Sequence, residues 1–249
     1  MTAAVLLAAA VLLAAGLGWG GRRVLRALEA ASGADWGGPW LNRLDGLNRI
    51  FCRRFHGLHG DRVELPPAGG ALVAANHVSG LDPLIMAASC NRPLRFIIAR
   101  EQYERWWLKW LFRLARVIPV ERTTHPQQAY YAARAALVAG DVVALFPQGR
   151  IQTDGGPPRL KRGIVMLASQ TGVPIYALHI DGVRGQGEVI AALCRRSRVR
   201  VRACPPFRCR DHAAARACLE RLARCLAPDE LPQGSPVEPE TGPSPADRP

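Results

Sequence analysis

Lysine is almost missing from this chain. Of 33 basic residues only Lys109 and Lys161 are lysines, which leaves 31 arginines against 20 acidic residues and a formal net charge of +13. No zinc-finger spacing and no aromatic RNA-binding motif accompanies the arginines, so the basicity does not point to nucleic acid. It fits a protein that lies on anionic lipid and handles phosphorylated substrates, although an Ala- and Arg-heavy composition accounts for part of the arginine count. Also missing is any C-x-x-C pair among Cys52, Cys90, Cys194, Cys204, Cys209, Cys218 and Cys225. These read as scattered small hydrophobes in a reducing compartment, neither a disulfide frame nor a zinc site. There is no G-x-S-x-G elbow for a serine hydrolase and no ligand cluster for a metal. Gly182 to Gly187, GVRGQG, has no following helix, so it predicts a flexible turn and not a nucleotide loop.

At 249 residues the chain can hold one α/β domain of about 200 residues with attachments. Ala3 to Trp19 is an unbroken apolar run followed by Arg22, Arg23 and Arg26. A cleaved signal peptide carries its charge before the apolar run, so an uncleaved anchor over residues 1–21 is the expectation. Its seven Leu and Val residues supply about −2 to −4 kcal/mol of insertion energy, enough to span or to dip. If it spans, the positive-inside rule puts everything after Arg22 on the cytoplasmic side of the cytoplasmic (inner) membrane. Residues 22–60 follow as an amphipathic interfacial segment, in which Trp40, Leu44, Leu47, Phe51 and Phe55 share a helical stripe with Arg43, Arg49, Arg53 and Arg54 nearby. An ordinary amphipathic helix packed on the domain is the alternative. The folded domain is expected over 61–227 and a Pro-, Ser- and Glu-rich disordered tail over 228–249.

The organising stretch of the domain is Ala71 to Leu84, ALVAANHVSGLDPL. A short apolar strand, Ala71 to Ala75, runs into a turn that presents Asn76, His77 and, five positions later, Asp82. On one continuous helix His77 and Asp82 would sit about 140° apart, so they can face each other only across a bend, which Ser79, Gly80 and Pro83 supply. A histidine with a carboxylate neighbour is a candidate general base, because the carboxylate fixes the tautomer and stabilises the imidazolium. The spacing alone is a weak motif. A second stretch adds to it: Asp141 to Gly156, DVVALFPQGRIQTDGG, in which an apolar strand over Val142 to Phe146 is ended by Pro147 and followed by Gly149 and Arg150. A glycine beside an arginine lets backbone approach an anion while the guanidinium offers a forked donor.

Together these stretches resemble the glycerolipid acyltransferase family, in particular lysophosphatidic acid acyltransferases, through NH-x-x-x-x-D at Asn76, His77 and Asp82 and FP-x-GR at Phe146, Pro147, Gly149 and Arg150. VIPVER, Val117 to Arg122, and Val173, Pro174 and Ile175 match two further blocks in the same order. Two departures from the family stand here: Gln148 where glutamate is usual, and Arg150 and Ile151 where a Thr-Arg pair is often found. The FP-x-GRI form resembles the branch that acylates other lysophospholipids.

The resemblance implies a single glycerol-phosphate-acyltransferase-like α/β domain, with a mixed central sheet flanked by helices and an N-terminal membrane helix before it. It implies a membrane-bound enzyme that moves a fatty acyl group from acyl-CoA or acyl carrier protein, used as substrate and not as cofactor, to the free hydroxyl of a lysophospholipid. The first acceptor is 1-acylglycerol-3-phosphate, and another lysophospholipid is the alternative. His77 would be the base held by Asp82, and Asn76, Arg122, Gly149, Arg150 and, secondarily, Lys161 would bind substrate, with no metal. A thioester or lipid hydrolase and a non-catalytic lipid-binding membrane protein remain as readings from other classes.

Among the remaining segments, Pro83 to Cys90 predicts a helix and Leu94 to Ala99 a strand. Glu101 to Arg116 predicts one helix too apolar for a solvated face, which lines an acyl groove, contacts lipid or belongs to the core. Leu160 to Thr171 predicts a helix with Lys161, Arg162 and Gly163 in its first turn, and Asp211 to Ala227 a closing helix capped by Asp211. His179 reads as a core histidine.

Overall fold

The computed structural model describes residues 20–121, 126–152, 160–209 and 215–227. Residues 1–19 of the expected anchor, Arg122, the Asp211 cap and the tail lie outside the described residues, and residues 20 and 21 of that anchor are helical. Among those described, no helix is long and apolar enough to cross a membrane.

Seven strands form one mixed sheet: β1 His59–Gly60, β2 Ala71–Ala75, β3 Leu94–Ala99, β4 Ile118–Val120, β5 Val142–Leu145, β6 Ile175–Asp181 and β7 Arg200–Ala203, in the order β1-β7-β6-β2-β5-β3-β4. All neighbours are parallel except β6 and β7. Strand β2 is central and every residue of it is buried, which is why it reads as a continuous apolar run and not as an alternation. Its Ala71, Val73 and Ala75 enter the core on one face, and Leu72 and Ala74 the core on the other.

The first face is covered by helix α3, Asp82–Ser89, through Ile85 and Met86, and by Cys52. The second is covered by α6, Pro126–Val138, α7, Gly163–Thr171, and α9, Ala215–Leu226. A helix over residues 20–31, α1, precedes α2, Pro39–Ile50, which runs on into a single π-helical turn, Phe51–Phe55.

Helix α2 is packed with its polarity inverted. Asp45 and Arg49 are buried, whereas Trp40 is 71% exposed and Leu44 and Leu47 also face outward. Arg49 does not accompany the apolar stripe at a surface. Its Nε donates to Asp45 Oδ2 at 2.7 Å, and its Nη1 and Nη2 donate to the carbonyls of Ala88 (2.9 Å), Ala87 (3.2 Å) and Cys90. A guanidinium thus caps the C-terminus of α3, where orphan carbonyls and the helix dipole both favour a cation.

Other expectations shift in detail. The apolar segment expected as one helix over Glu101 to Arg116 breaks into α4, Arg100–Tyr103, and α5, Trp106–Leu114, because Arg105 is extended (ψ 114°) and starts a new helix. Helix α7 begins at Gly163, so Lys161 precedes it and is not in its first turn. The cysteine reading is corrected: Cys204 bonds to Cys225 and Cys209 to Cys218, tying α9 to the segment after β7. Nested pairs at these separations carry no sequence signature, since four cysteines allow three connectivities. Of the rest, Cys52 and Cys90 are buried, which pushes each thiol up to about 12, and Cys194 is exposed. Among the described residues α8, Ala191–Cys194, completes the helices.

Candidate active site

Strands β2, β5 and β6 are parallel, so their C-terminal ends share one edge of the sheet, and the chain leaves β2 there as Asn76, His77 and Val78. Open α/β sheets gather ligands at that edge. The bend between His77 and Asp82 is wound around the Asp82 carboxylate, which is fully buried. Its Oδ2 accepts from His77 Nδ1 (2.9 Å) and from the backbone N–H groups of Val78 (2.7 Å) and Ser79 (2.8 Å), and its Oδ1 accepts from the Ser79 hydroxyl (2.8 Å). With two amide donors on the same oxygen, Oδ2 is the acceptor from the ring. Nδ1 therefore carries the proton, and Nε2 presents its lone pair. The His77 side chain is 18% exposed, so the ring is held on one side and open on the other.

Asn76 is not aimed outward. Its amide donates to the Ile180 carbonyl (2.9 Å) and accepts from the Ile180 N–H (2.7 Å), a two-bond clamp that pins the end of β2 to β6. The FPQGR stretch folds against His77 from β5. The Phe146 ring stacks on the imidazole with centroids 4.0 Å apart and planes 13° apart. Gln148 Oε1 accepts the His77 backbone N–H at 2.7 Å, and the Gln152 N–H donates to the His77 carbonyl at 2.8 Å. The Gln148 side chain and the Gln152 backbone therefore grip the N–H and the carbonyl of one residue, His77, from either side of Gly149, Arg150 and Ile151, so the loop bearing the exposed Arg150 is tied to the histidine.

Gly149 has φ +73°, and a Cβ there would lie 2.7 Å from Lys161 Nζ. The Lys161 N–H donates to the Pro147 carbonyl at 2.9 Å, which holds the ammonium against this loop. Gly149 and Lys161 are thus brought together beside Arg150. His179 lies in the core with Nδ1 at 2.9 Å from the Leu226 carbonyl.

One contributor was not legible in the sequence. The segment expected as a flexible turn docks on the histidine loop: Gly187 N–H donates to the Val78 carbonyl (2.9 Å) and Gly80 N–H to the Glu188 carbonyl (3.0 Å). A Cβ on Gly80 would lie 2.2 Å from the Val189 carbonyl oxygen, so only glycine allows the approach. The only sequence signal was glycine itself, at 80 and in GVRGQG. Among the described residues no group of three or more His, Cys, Asp or Glu side chains could hold a metal.

A mixed, largely parallel sheet that carries a carboxylate-held imidazole at its C-terminal edge, with a Gly-Arg loop folded onto it, defines an α/β protein equipped for proton transfer beside an anion. Residues 58–181 match the Acyltransferase family, and the chain belongs to that family. Over 129 residues it is 30% identical to a probable 1-acyl-sn-glycerol-3-phosphate acyltransferase of Mycoplasma pneumoniae, an alignment that takes in 49% of this chain and 48% of that protein. The chain thus matches about half the length of that curated relative. Its fold is similar to the crystal structure of the 1-acyl-sn-glycerophosphate (LPA) acyltransferase PlsC from Thermotoga maritima, with a TM-score of 0.56 at 21% identity over 76% of this chain and 80% of that one.

Proposed function

We propose that this chain transfers a fatty acyl group from an acyl thioester to the free hydroxyl of a lysophospholipid, with 1-acylglycerol-3-phosphate as the first acceptor. The observation that carries the reading is the 2.9 Å contact of His77 Nδ1 with the buried Asp82, which leaves Nε2 open. Nε2 takes the hydroxyl proton as the oxygen attacks the thioester carbonyl. The tetrahedral intermediate collapses with loss of the thiolate, which receives that proton from the imidazolium, so no acyl-enzyme forms. Asp82 keeps the ring oriented and stabilises its charged form.

Arg150 and Lys161 hold the acceptor's phosphate, with Gly149 allowing close approach, and Arg122 is a further phosphate ligand on the sequence pattern. Asn76 is a positioning residue in this scheme, since Ile180 occupies its amide. Gln148 needs no charge for its bond to His77, because the donor it meets is a neutral peptide N–H. The donor is acyl-CoA or acyl carrier protein, and the reaction uses no cofactor or metal because a thioester is already activated. The outward Trp40, Leu44 and Leu47 of α2 support work at a membrane surface, where such lipids reside.

Gln148 and Ile151 favour a second reading, acylation of a different lysophospholipid at the same site. A hydrolase is disfavoured by the state of the nearest hydroxyl: Ser79 is fully buried, donates to Asp82 and accepts from the Leu81 N–H at 3.1 Å. Thiol release from acyl-CoA is the test, with and without a panel of lysophospholipids. The proposal expects release only with acceptor, and His77→Ala should slow it by about 10²- to 10⁴-fold. Release without acceptor would mean a hydrolase, and no release with any donor or acceptor a lipid-binding protein.

A further inference from the structure

Helix α5 is held to the domain by a narrow contact. No residue of Trp106–Leu114 is buried, and Phe112 makes the inward contact, stacked on Tyr103 with centroids 6.0 Å apart. Trp106 is 86% exposed, and Trp107, Trp110 and Leu114 are exposed with it. At about 100° per residue these four side chains fall within roughly a quarter of the helix circumference. Beside that arc lie Lys109 and Arg113. The Trp110 indole N–H donates to the Trp107 carbonyl at 2.9 Å, so the ring's polar atom is satisfied within the helix while its faces stay outside.

We infer that this face is a bilayer-docking surface, in which the indoles sit among the headgroups and acyl-chain ends of a membrane containing anionic lipid, and that it acts separately from residues 3–19 and from α2. Three observations favour lipid over a second copy of the chain. Indole rings partition to the headgroup level, whereas a protein interface of this kind would be covered by complementary apolar side chains. Arg113 and Lys109 lie along one side of the arc, Arg113 exposed and Lys109 paired to Glu104, and the chain carries +13, so anionic headgroups complement the face, whereas a like-charged copy is repelled. The polypeptide leaves β3 for α4 and α5 at the sheet edge where β2 delivers His77, because β2, β5 and β3 run parallel. Docking α5 brings that edge toward the membrane. The inference does not depend on acyl transfer: a chain that bound vesicles and transferred nothing would retain it.

The test uses the full chain with Trp19, Trp36 and Trp40 replaced by Phe, so that all tryptophan emission comes from α5. It is mixed with phosphatidylcholine vesicles containing 30% phosphatidylglycerol (about one lipid in three, to present anionic charge), some carrying brominated acyl chains as quenchers. The expected result is a blue shift and at least twofold quenching on vesicle binding, reduced with phosphatidylcholine alone. Adding Trp106→Glu and Trp110→Glu should leave the remaining Trp107 unquenched, with the circular dichroism spectrum unchanged. Emission that stays solvent-like in the vesicle-bound chain would overturn the inference. So would self-association of the lipid-free chain that the two glutamates abolish, which would assign the face to a second copy.

Discussion

The imidazole of His77 lies flat on the phenyl ring of Phe146, 4.0 Å between centroids, so the loop after β5 sets the tilt of a side chain that belongs to β2. A base must point at its proton to within a fraction of an ångström, and an error of about 1 Å costs about 10²-fold in rate. Phe146→Ala is therefore expected to lower kcat by about 10²-fold and to move KM for the thioester by less than about threefold, because the ring orients the base and binds little substrate. Steady-state kinetics at saturating acceptor measure both.

Asp82→Asn keeps the shape of the side chain and turns one oxygen into a donor. That donor would face either the Ser79 hydroxyl, which now donates to Asp82, or, with the amide turned over, Nδ1–H of His77 and the N–H groups of Val78 and Ser79, which need an acceptor. In either setting the carboxylate charge that favours the Nδ1–H tautomer is lost. Turnover should fall by about 10³- to 10⁴-fold through the wrong tautomer, and unfolding free energy by about 1–3 kcal/mol through the lost bonds. Turnover assays and urea titration on the same preparation separate the two losses.

Gly80→Ala places a Cβ 2.2 Å from the Val189 carbonyl and so must push the 187–189 segment off the histidine loop. We expect a lower melting temperature and a kcat reduced about tenfold or more. Gly38→Ala, where nothing lies within 4 Å, should stay within about 0.5 kcal/mol of the parent and serves as the control.

Arg49→Lys retains the charge but not the fork that reaches Asp45 and the carbonyls of Ala87, Ala88 and Cys90. A point charge cannot serve four acceptors in those directions, so this substitution should cost about 3 kcal/mol, close to the loss from Arg49→Ala. Denaturant unfolding tests it, and a near-neutral lysine variant would remove Arg49 as the cap of the helix that bears Asp82.

His56 is buried edge-on against Phe51 and Phe55, and burial lowers its pKa below the ordinary 6.5, partly offset by the Leu193 backbone. The unfolded chain then takes up the proton more readily than the folded one. Stability from this group is full above about pH 6.5 and is lost as the pH falls toward and through the lower folded value. His56→Phe should flatten that part of the slope in unfolding free energy measured between about pH 7.5 and 5.

Much of the fold was legible. Strand β2 matched its apolar run over Ala71 to Ala75 and β5 fell within its own, because a strand buried on both faces is a run of apolar residues and shows in one dimension. Strand β3 occupies Leu94–Ala99 as its largely apolar pattern predicts, with Arg95, Ile97 and Ile98 half-buried. Helix α2 was legible as a stripe, but its buried side was not. Apolar exposure and a buried Asp45–Arg49 pair invert the usual rule, and only the carbonyls at the end of α3 show why the arginine turns inward. Cys204 with Cys225 and Cys209 with Cys218 were illegible for a related reason: pairing is a property of packed neighbours.

By itself the sequence determined the chemistry available, since His77, Asp82, Gly149 and Arg150 carry their proton-transfer and anion-binding capacities wherever they are placed, and local backbone preferences put them at strand ends. The tertiary structure alone decided what those groups meet. The Gln148 and Gln152 grip, the Phe146 stack, the Ile180 clamp on Asn76 and the Gly80–Val189 contact join segments up to 109 positions apart along the chain. Such contacts depend on strand order and loop packing, which no local pattern encodes, because each requires two surfaces to arrive together after the core has formed.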